Sequence, residues 1–274
     1  MEPFAPGRTI VGFVGIGKMG VPMSRNLRRG DFAVVAYDVR AEALDAVRGD
    51  GVQSAKDLAD LAARAGVVIT MLPDSGVVEK VVLGPGGLAE HLAPGKLIID
   101  MSSSYPARTK ALAETLAKKG VHLIGSPVSG GVSGAEAATL AVMPGGPKAL
   151  VDAAMPLFKA LGKAIVHVGE AVESGHAMKC VNNYLSATNM ISSMEAMMLA
   201  VRLGLDPHKV LDVVNNGSGC NTGTRDKWPR FLLNHVRQMY ALGLSQYGFD
   251  ADQAYLLEII ENWAGQRFEP PREK

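Results

Sequence analysis

The stretch GIGKMGVPMSRNL, residues 15–27, places three glycines at G-x-G-x-x-G spacing between a β-branched run and a helical pattern. The preceding run TIVGFVG predicts a buried strand, and a helix is predicted to begin near Val21. In such a strand–loop–helix unit, Gly15 permits a tight turn, Gly17 lets the backbone approach a pyrophosphate, and Gly20 lets helix and strand pack closely. The helix N-terminus offers unpaired N–H groups to phosphates. The stretch therefore predicts a dinucleotide-binding loop, formed by Gly15, Ile16, Gly17, Lys18, Met19 and Gly20.

A carboxylate ends the second predicted strand, FAVVAYD, about 20 residues beyond the glycine loop. Asp38 stands where it would accept hydrogen bonds from the adenosine ribose hydroxyls, and it would repel a 2′-phosphate as a like charge. NAD is therefore the predicted cofactor, while Arg40 is close enough to leave NADP open. The alternative is a glycine turn in an α/β protein with no ligand.

Composition limits the class of partner. The 274 residues carry a formal net charge of +1, which provides no field to gather nucleic acid or an anionic membrane, so a small-molecule partner is expected. The two cysteines, Cys180 and Cys220, lack the spacing of a zinc or redox site, which suits a reducing compartment. No apolar run resembles a signal peptide or reaches the length of a membrane span. A cytoplasmic protein without a metal is predicted.

The predicted secondary structure changes after Gly169, from alternating strands and helices to helices alone. Up to Gly169, short β-branched runs alternate with Ala-rich helical patterns, which predicts a doubly wound parallel sheet with helices on both faces. Residues 174–203 contain no proline and show helical spacing, which predicts one helix about 45 Å long. A shorter helix follows, with Asp206 as N-cap and Pro207 at its first position. The remainder is predicted to be helical.

Five further motifs follow the glycine loop. They are ITMLP (69–73), IDMSSSYP (99–106), SPVSGG (126–131), GHAMKCVNN (175–183) and EAMMLAVRLGLDP (195–207). Together with GFVGIGKMGVPMSRNL (12–27), they resemble the β-hydroxyacid dehydrogenase family, which contains 3-hydroxyisobutyrate dehydrogenase and tartronate semialdehyde reductase. The resemblance implies an α/β Rossmann domain followed by a smaller all-α domain, with the active site in the cleft between them. The predicted divisions are a flexible extension (1–8), the dinucleotide-binding domain (9–170) and a helical domain (171–274).

The same resemblance implies NAD-dependent oxidation of a small 3-hydroxyacid, with 3-hydroxyisobutyrate favoured, and identifies Lys179 as the general acid/base. A lysine, with an ordinary pKa of about 10.4, acts as a base near neutral pH only where burial or a positive charge lowers that pKa. Asn183, four residues on, shares the helix face and is predicted to hydrogen-bond the same substrate oxygen. Spacing alone favours a surface lysine lying along its helix.

Three other segments receive roles from the resemblance. Substrate contacts are predicted at Ser102 and at the small-residue loop of Ser129, Gly130 and Gly131, whose backbone can approach a carboxylate. Cofactor contacts are predicted at Leu72, Pro73 and Ser103. The alternatives are an ordinary tight turn for the glycines, a strand terminator for the Leu-Pro pair and a helix cap for the serines.

The chain departs from the family pattern in two places. Gly125 and Ser126 stand where an Asp-Ala pair is common. After Phe231, a family block with a Lys-Asp pair is predicted to be missing, and Lys227 is a poor substitute because no Asp comes directly after it. A second hypothesis is therefore a cofactor-binding assembly or sensing module with little turnover; an imine or carbonyl reductase is a third, and tartronate semialdehyde reduction is an alternative within the enzyme class.

The remaining motif residues receive structural predictions. His176 is expected at the surface of a helix end, and Cys180 is expected to be a small apolar filler. Four methionines are expected to form core or a dimer seam, and a homo-oligomer is expected: Met190, Met194, Met197 and Met198.

Overall fold

The computed structural model describes residues 1–232. The strands are β1 (Ile10–Val14), β2 (Ala33–Tyr37), β3 (Gln53–Ser54), β4 (Val67–Thr70), β5 (Leu97–Asp100), β6 (His122–Gly125), β7 (Val128–Ser129), β8 (Leu140–Val142) and β9 (Gly162–Ile165). The helices are α1 (Gly20–Arg29), α2 (Ala41–Arg48), α3 (Leu58–Arg64), α4 (Ser75–Leu83), α5 (Leu88–His91), α6 (Pro106–Ala117), α7 (Gly131–Glu136), α8 (Lys148–Leu161), α9 (Ser174–Arg202) and α10 (Pro207–Asn216), followed by a π-helical segment, Gly223–Leu232. The described residues form two compact units, Met1–Val181 and the part from Asn182 on.

The first unit is built on a six-stranded parallel sheet in the order β3-β2-β1-β4-β5-β6. This arrangement confirms the predicted doubly wound sheet. The strand order reverses at β1, which pairs with β2 on one side and with β4 on the other. Ligands of open α/β sheets bind beyond the carboxyl ends of the strands at such a reversal. The topology therefore directs attention to the residues that follow β1, β2 and β4.

Each face of the sheet carries its own hydrophobic core. Every residue of β4 and β5 is buried, as expected for parallel strands covered on both faces. Successive strand residues alternate between the two cores: Phe13, Ile69 and Ile99 lie in one, and Val14, Val68 and Ile98 in the other. Within residues 1–232, no helix combines the length and apolar character that a membrane crossing requires.

The later strands do not extend the parallel sheet. β7, β8 and β9 form a separate three-stranded sheet in which β7 and β8 are antiparallel. The prediction that these runs continue one parallel series was wrong. Only Ser126 and Pro127 separate β6 from β7, whereas a parallel crossover needs roughly a dozen residues or more. The chain therefore starts a second sheet.

The N-terminal segment predicted as a flexible extension contacts the first unit. The backbone N–H of Phe4 donates to the carbonyl of Ala153, and the N–H of Ala5 donates to Thr9 Oγ1, each over 2.9 Å. The Phe4 side chain packs partly buried against the first core.

The helical part agrees with its sequence pattern. α9 spans 29 residues as one helix, as predicted, and α10 begins at Pro207 with the Asp206 side chain accepting the N–H of His208 over 2.8 Å. In the second unit, Met197 is buried with Leu211 and Trp228, and Met194 and Met198 pack against them, so most of the methionine patch is core. The segment predicted to lack a family block extends past Leu232, beyond the described residues.

Candidate functional site

The glycine loop between β1 and α1 is shaped by backbone contacts. Gly15 has φ +100°, and a Cβ there would lie 2.3 Å from the carbonyl oxygen of Met71. A Cβ on Gly20 would lie 1.9 Å from the carbonyl oxygen of Gly15. A Cβ on Gly17, by contrast, would meet no protein atom within 4 Å. The fold itself therefore demands glycine at two positions, whereas Gly17 leaves its backbone open to a ligand, as a pyrophosphate cradle requires.

The loop forms one wall of a groove of about 580 Å³ at the carboxyl ends of β1, β2 and β4. Apolar side chains provide most of the lining, as is typical of cofactor sites. The groove brings together most of the predicted cofactor residues: Gly15, Gly17, Lys18, Met19, Gly20, Asp38, Leu72 and Pro73. Ile16, also predicted as a cofactor residue, is not among the groove residues: its side chain packs in the first core, and its backbone N–H donates to Asp38.

Asp38 is held at the end of β2 by backbone donors. Its Oδ2 accepts the N–H of Ile16 over 2.8 Å, and its Oδ1 accepts the N–H of Arg40 over 2.9 Å. The Asp38 side chain is only 8% exposed, whereas the Arg40 side chain beside it is 64% exposed. The carboxylate thus fixes the conformation of the glycine loop while lining the groove, a bracing role that spacing alone did not suggest.

The two predicted serines after β5 occupy different environments. Ser103 is exposed, as a cofactor contact would need. Ser102 is fully buried, and its Oγ accepts the N–H of Leu72 over 2.9 Å. The buried Ser102 hydroxyl therefore supports the groove wall through Leu72, a structural role that was not predicted, and the substrate contact at Ser102 stays a prediction.

Behind these serines lies a polar network that the sequence analysis missed. The buried Asp100 carboxylate accepts hydrogen bonds from Thr70 Oγ1 at 2.9 Å, from Ser104 Oγ at 2.6 Å and from the N–H of Ser102 at 3.1 Å. The sequence feature that could have revealed this network is Asp100, a charged residue at the end of the otherwise apolar strand LIID. Since a buried carboxylate must be hydrogen-bonded, that pattern indicates polar partners nearby.

The small-residue loop follows β7. Gly130 has φ +132° and Gly131 has φ +63°, conformations that favour glycine. The Lys179 amine donates to the carbonyl oxygen of Val128 over 2.7 Å, directly before Ser129. The structure thus brings the predicted base next to the predicted substrate loop. Burial lowers the pKa of the Lys179 amine.

Close backbone contacts fix the first turn of α9. A Cβ on Gly175 would lie 2.2 Å from the carbonyl oxygen of Gly125 and 2.4 Å from that of Met143. A Cβ on Gly145 would lie 2.3 Å from the backbone nitrogen of Gly175. Only glycines permit this approach, which places Lys179 one turn later, within hydrogen-bond distance of Val128 on β7.

Two predictions on this helix were wrong. His176 is fully buried and hydrogen-bonded, because the start of α9, itself part of the first unit, packs against α6 and the residues after β5. Cys180 is exposed, because it follows Lys179 on a different face. Asn183 lies on α9 four residues after Lys179, in the second unit, with an exposed side chain. Across residues 1–232, no cluster of His, Cys, Asp or Glu could hold a metal ion.

A parallel sheet that reverses at β1, a glycine loop open to a pyrophosphate and a carboxylate after β2 define a dinucleotide-binding Rossmann domain. Comparison with known families agrees. The profile for the NAD binding domain of 6-phosphogluconate dehydrogenase matches residues 10–169, and that for NAD-binding of NADP-dependent 3-hydroxyisobutyrate dehydrogenase matches residues 174–246.

Individual relatives narrow the class. The chain is 38% identical over 224 residues to a 2-(hydroxymethyl)glutarate dehydrogenase of Eubacterium barkeri, covering 82% of this chain and 74% of the relative. It is 39% identical over 212 residues to the mitochondrial 3-hydroxyisobutyrate dehydrogenase of Homo sapiens, covering 77% of this chain and 63% of the relative. A 3-hydroxyisobutyrate dehydrogenase of Mycobacterium tuberculosis, solved with L-serine, superimposes with a TM-score of 0.75 at 28% identity and covers 94% of each chain. The chain belongs to the β-hydroxyacid dehydrogenase family of NAD(P)-dependent oxidoreductases.

Proposed function

We propose that the protein oxidises a small 3-hydroxyacid to its semialdehyde with NAD, using Lys179 as general base. The observation that carries this proposal is the Lys179 amine, partly buried and hydrogen-bonded to Val128 beside the loop of Ser129, Gly130 and Gly131. A lysine placed there has both an anchor and a lowered pKa, which are the two properties that a catalytic base needs.

The anchor suits proton abstraction. A neutral amine has two N–H groups and one lone pair, so Lys179 can donate one N–H to the Val128 carbonyl and direct its lone pair at a substrate hydroxyl. NAD, when bound, supplies the nicotinamide ring that accepts the hydride. Lys179 takes the hydroxyl proton, and Asn183 is proposed to hydrogen-bond the same oxygen.

The small-residue loop is proposed to hold the substrate carboxylate. Gly130 and Gly131 carry no side chains, and a Cβ on Gly131 would meet no protein atom within 4 Å. Their backbone N–H groups can therefore approach an anion closely. Ser129 adds a hydroxyl next to the carbonyl that anchors Lys179.

The relatives suggest the substrate class. 3-Hydroxyisobutyrate, 2-(hydroxymethyl)glutarate and L-serine, the compounds in their names, share the unit HOCH₂–CHR–COO⁻ and differ only in R. We propose this unit as the recognised core and 3-hydroxyisobutyrate as the favoured substrate. NADH formation is measured with these three acids and D-glycerate. Turnover of at least one supports the proposal, while NADH binding without turnover of any rejects it and favours the cofactor-binding module.

NAD is the proposed cofactor because the Asp38 carboxylate lines the groove. Asp38→Asn removes the charge but keeps an acceptor for the N–H of Ile16, so we expect the ratio of kcat/KM for NAD over NADP to fall by about 10-fold or more. Steady-state kinetics with both cofactors measures the ratio. Arg40→Ala is the matched control. If it instead abolished use of NADP while Asp38→Asn changed nothing, the assignment of NAD would be wrong.

The protonation state of Lys179 predicts the pH dependence. The base acts only when neutral, so kcat/KM for oxidation should be lost as pH falls through the pKa of Lys179 and should level off above it. Because burial lowers that pKa, the acid limb of the kcat/KM profile, where the rate is lost as pH falls, should lie at lower pH than for a solvated lysine. In the reductive direction the same amine must be protonated, so the rate should fall as pH rises. Rates measured against pH for oxidation and for reduction check that the two change in opposite directions. If both rates fell in the same direction with pH, Lys179 would not be the general acid/base.

A further inference from the structure

A buried histidine joins the helix of the proposed base to the cofactor side of the first unit. His176 lies in the first turn of α9 with no solvent exposure. Its Nδ1 is 2.8 Å from Thr109 Oγ1 on α6, and its Nε2 is 3.1 Å from the carbonyl oxygen of Ser102 after β5. A carbonyl only accepts hydrogen bonds, so Nε2 carries the proton and Nδ1 accepts from the Thr109 hydroxyl.

We propose that His176 is the positioning residue for Lys179: by bonding α9 to Ser102 and Thr109, it sets where the lysine amine meets the Val128 carbonyl. Lys179 follows three residues later, on the neighbouring turn of the same helix. This inference rests on the proposed role of Lys179 as base. It assigns His176 no contact with substrate or cofactor.

The same histidine is linked to the cofactor groove. Ser102, whose carbonyl accepts from His176, also accepts the N–H of Leu72 through its Oγ, and Leu72 lines the groove. A short series of hydrogen bonds therefore runs from the groove wall to the lysine helix. These bonds thus fix the position of the turn that carries Lys179 relative to the Leu72 segment of the groove wall.

Gly125, at the end of β6, provides the room for this histidine. A Cβ on Gly125 would lie 2.8 Å from His176 Nδ1 and 2.6 Å from the carbonyl oxygen of Val172. A side chain larger than that of glycine at position 125 would therefore meet the imidazole, so Gly125 leaves the space that His176 occupies.

The role of His176 is geometric and not ionic. The Asp100 carboxylate lies 3.6 Å from His176 Nε2, beyond hydrogen-bond distance, and already accepts from Thr70, Ser104 and the N–H of Ser102. Burial lowers the pKa of His176 more strongly than Asp100 raises it. We therefore treat His176 as a neutral donor and acceptor that orients α9.

The test compares two substitutions at one site. His176→Ala removes both hydrogen bonds, whereas His176→Gln keeps an amide N–H that can reach the Ser102 carbonyl. Leu116→Ala is the matched control, because it opens a cavity in the core beneath the same helix α6 without touching the network. For each variant, kcat, NADH affinity, melting temperature and the pH limb of kcat/KM are measured.

We expect His176→Ala to lower kcat by about 30-fold or more with NADH affinity within about 2-fold, and to move the pH limb upward as Lys179 loses burial. His176→Gln should recover kcat to within about 3-fold of wild type. Leu116→Ala should lower the melting temperature and leave both kcat and the limb in place. If His176→Ala matched Leu116→Ala in every readout, the inference would be overturned while the proposed function stood.

An NMR titration of Lys179 tests the positioning role of His176 separately from the proposed enzymatic function, and it applies even if the wild-type protein shows no turnover. The lysines are reductively ¹³C-methylated and titrated by NMR, and the Lys179 resonance is assigned by its absence in Lys179→Arg. In His176→Ala its pKa should rise toward that of a solvated lysine. An unchanged titration would reject the positioning role, and a raised one would support it even though the proposed function had failed.

Discussion

Replacing Lys179 with alanine is expected to lower kcat for hydroxyacid oxidation by about 10³-fold or more, with NADH affinity within about 2-fold of wild type. The reason is that the amine is the only general base proposed for the hydroxyl proton, while the glycine loop and Asp38 lie elsewhere in the first unit. Stopped-flow or steady-state measurement of NADH formation gives kcat, and fluorescence titration gives NADH affinity.

The neighbouring cysteine offers a control for this substitution. Cys180 is exposed and next in the chain, so Cys180→Ala perturbs the same turn of α9 without removing a proposed catalytic group. It should retain kcat within about 2-fold. Turnover of Lys179→Ala at the level of Cys180→Ala would remove the lysine from the mechanism.

The second large effect is expected from a pair of alanine substitutions in the glycine loop. Gly20→Ala places a Cβ 1.9 Å from the Gly15 carbonyl oxygen, so the free energy of unfolding should fall by about 3 kcal/mol or more. Gly17→Ala meets no protein atom within 4 Å, so stability should be preserved. Its methyl group would instead hold the pyrophosphate away, and NADH affinity should fall by about 10-fold or more.

Denaturant unfolding and NADH titration of both variants measure this contrast. The two glycines lie three residues apart in one loop, so each serves as the control for the other. Equal losses of stability would show that Gly17 is also required by packing. Unchanged NADH affinity in Gly17→Ala would mean that the loop does not approach the cofactor.

The local pattern was sufficient for the parallel sheet and for the long helix. β-branched runs flanked by helical spacing gave β1, β2, β4, β5 and β6, because burial on both faces imposes a continuous apolar run. The second sheet was not predicted. Its strands look like the others in sequence, and only the short link through Ser126 and Pro127 excludes a parallel crossover.

The features of the candidate site likewise fall into those that local sequence predicted and those that depend on long-range contacts. The spacing of Gly15, Gly17 and Gly20 and the position of Asp38 are local features, and the groove that they line agrees with the sequence. The burial of Ser102 and His176 was not predicted, because their environments are made by residues far along the chain. Their hydrogen-bond partners Leu72 and Thr109 lie after β4 and on α6.

By itself, the sequence determined the dinucleotide-binding loop and the order of the elements, since each depends on residues within one strand–loop–helix unit. The assignment of Lys179 came from the family resemblance, because spacing alone favoured a surface lysine. Only the tertiary structure decided that Lys179 meets the Val128 carbonyl and that His176 lies buried behind it. The physical reason is that burial, pKa and hydrogen-bond partners depend on contacts between residues far apart in the chain, as with Lys179 and Val128, which are 51 positions apart. Those contacts form where the backbone of α9 at Gly175 packs closely against Gly125 and Gly145. This long-range packing cannot be read from any local sequence pattern.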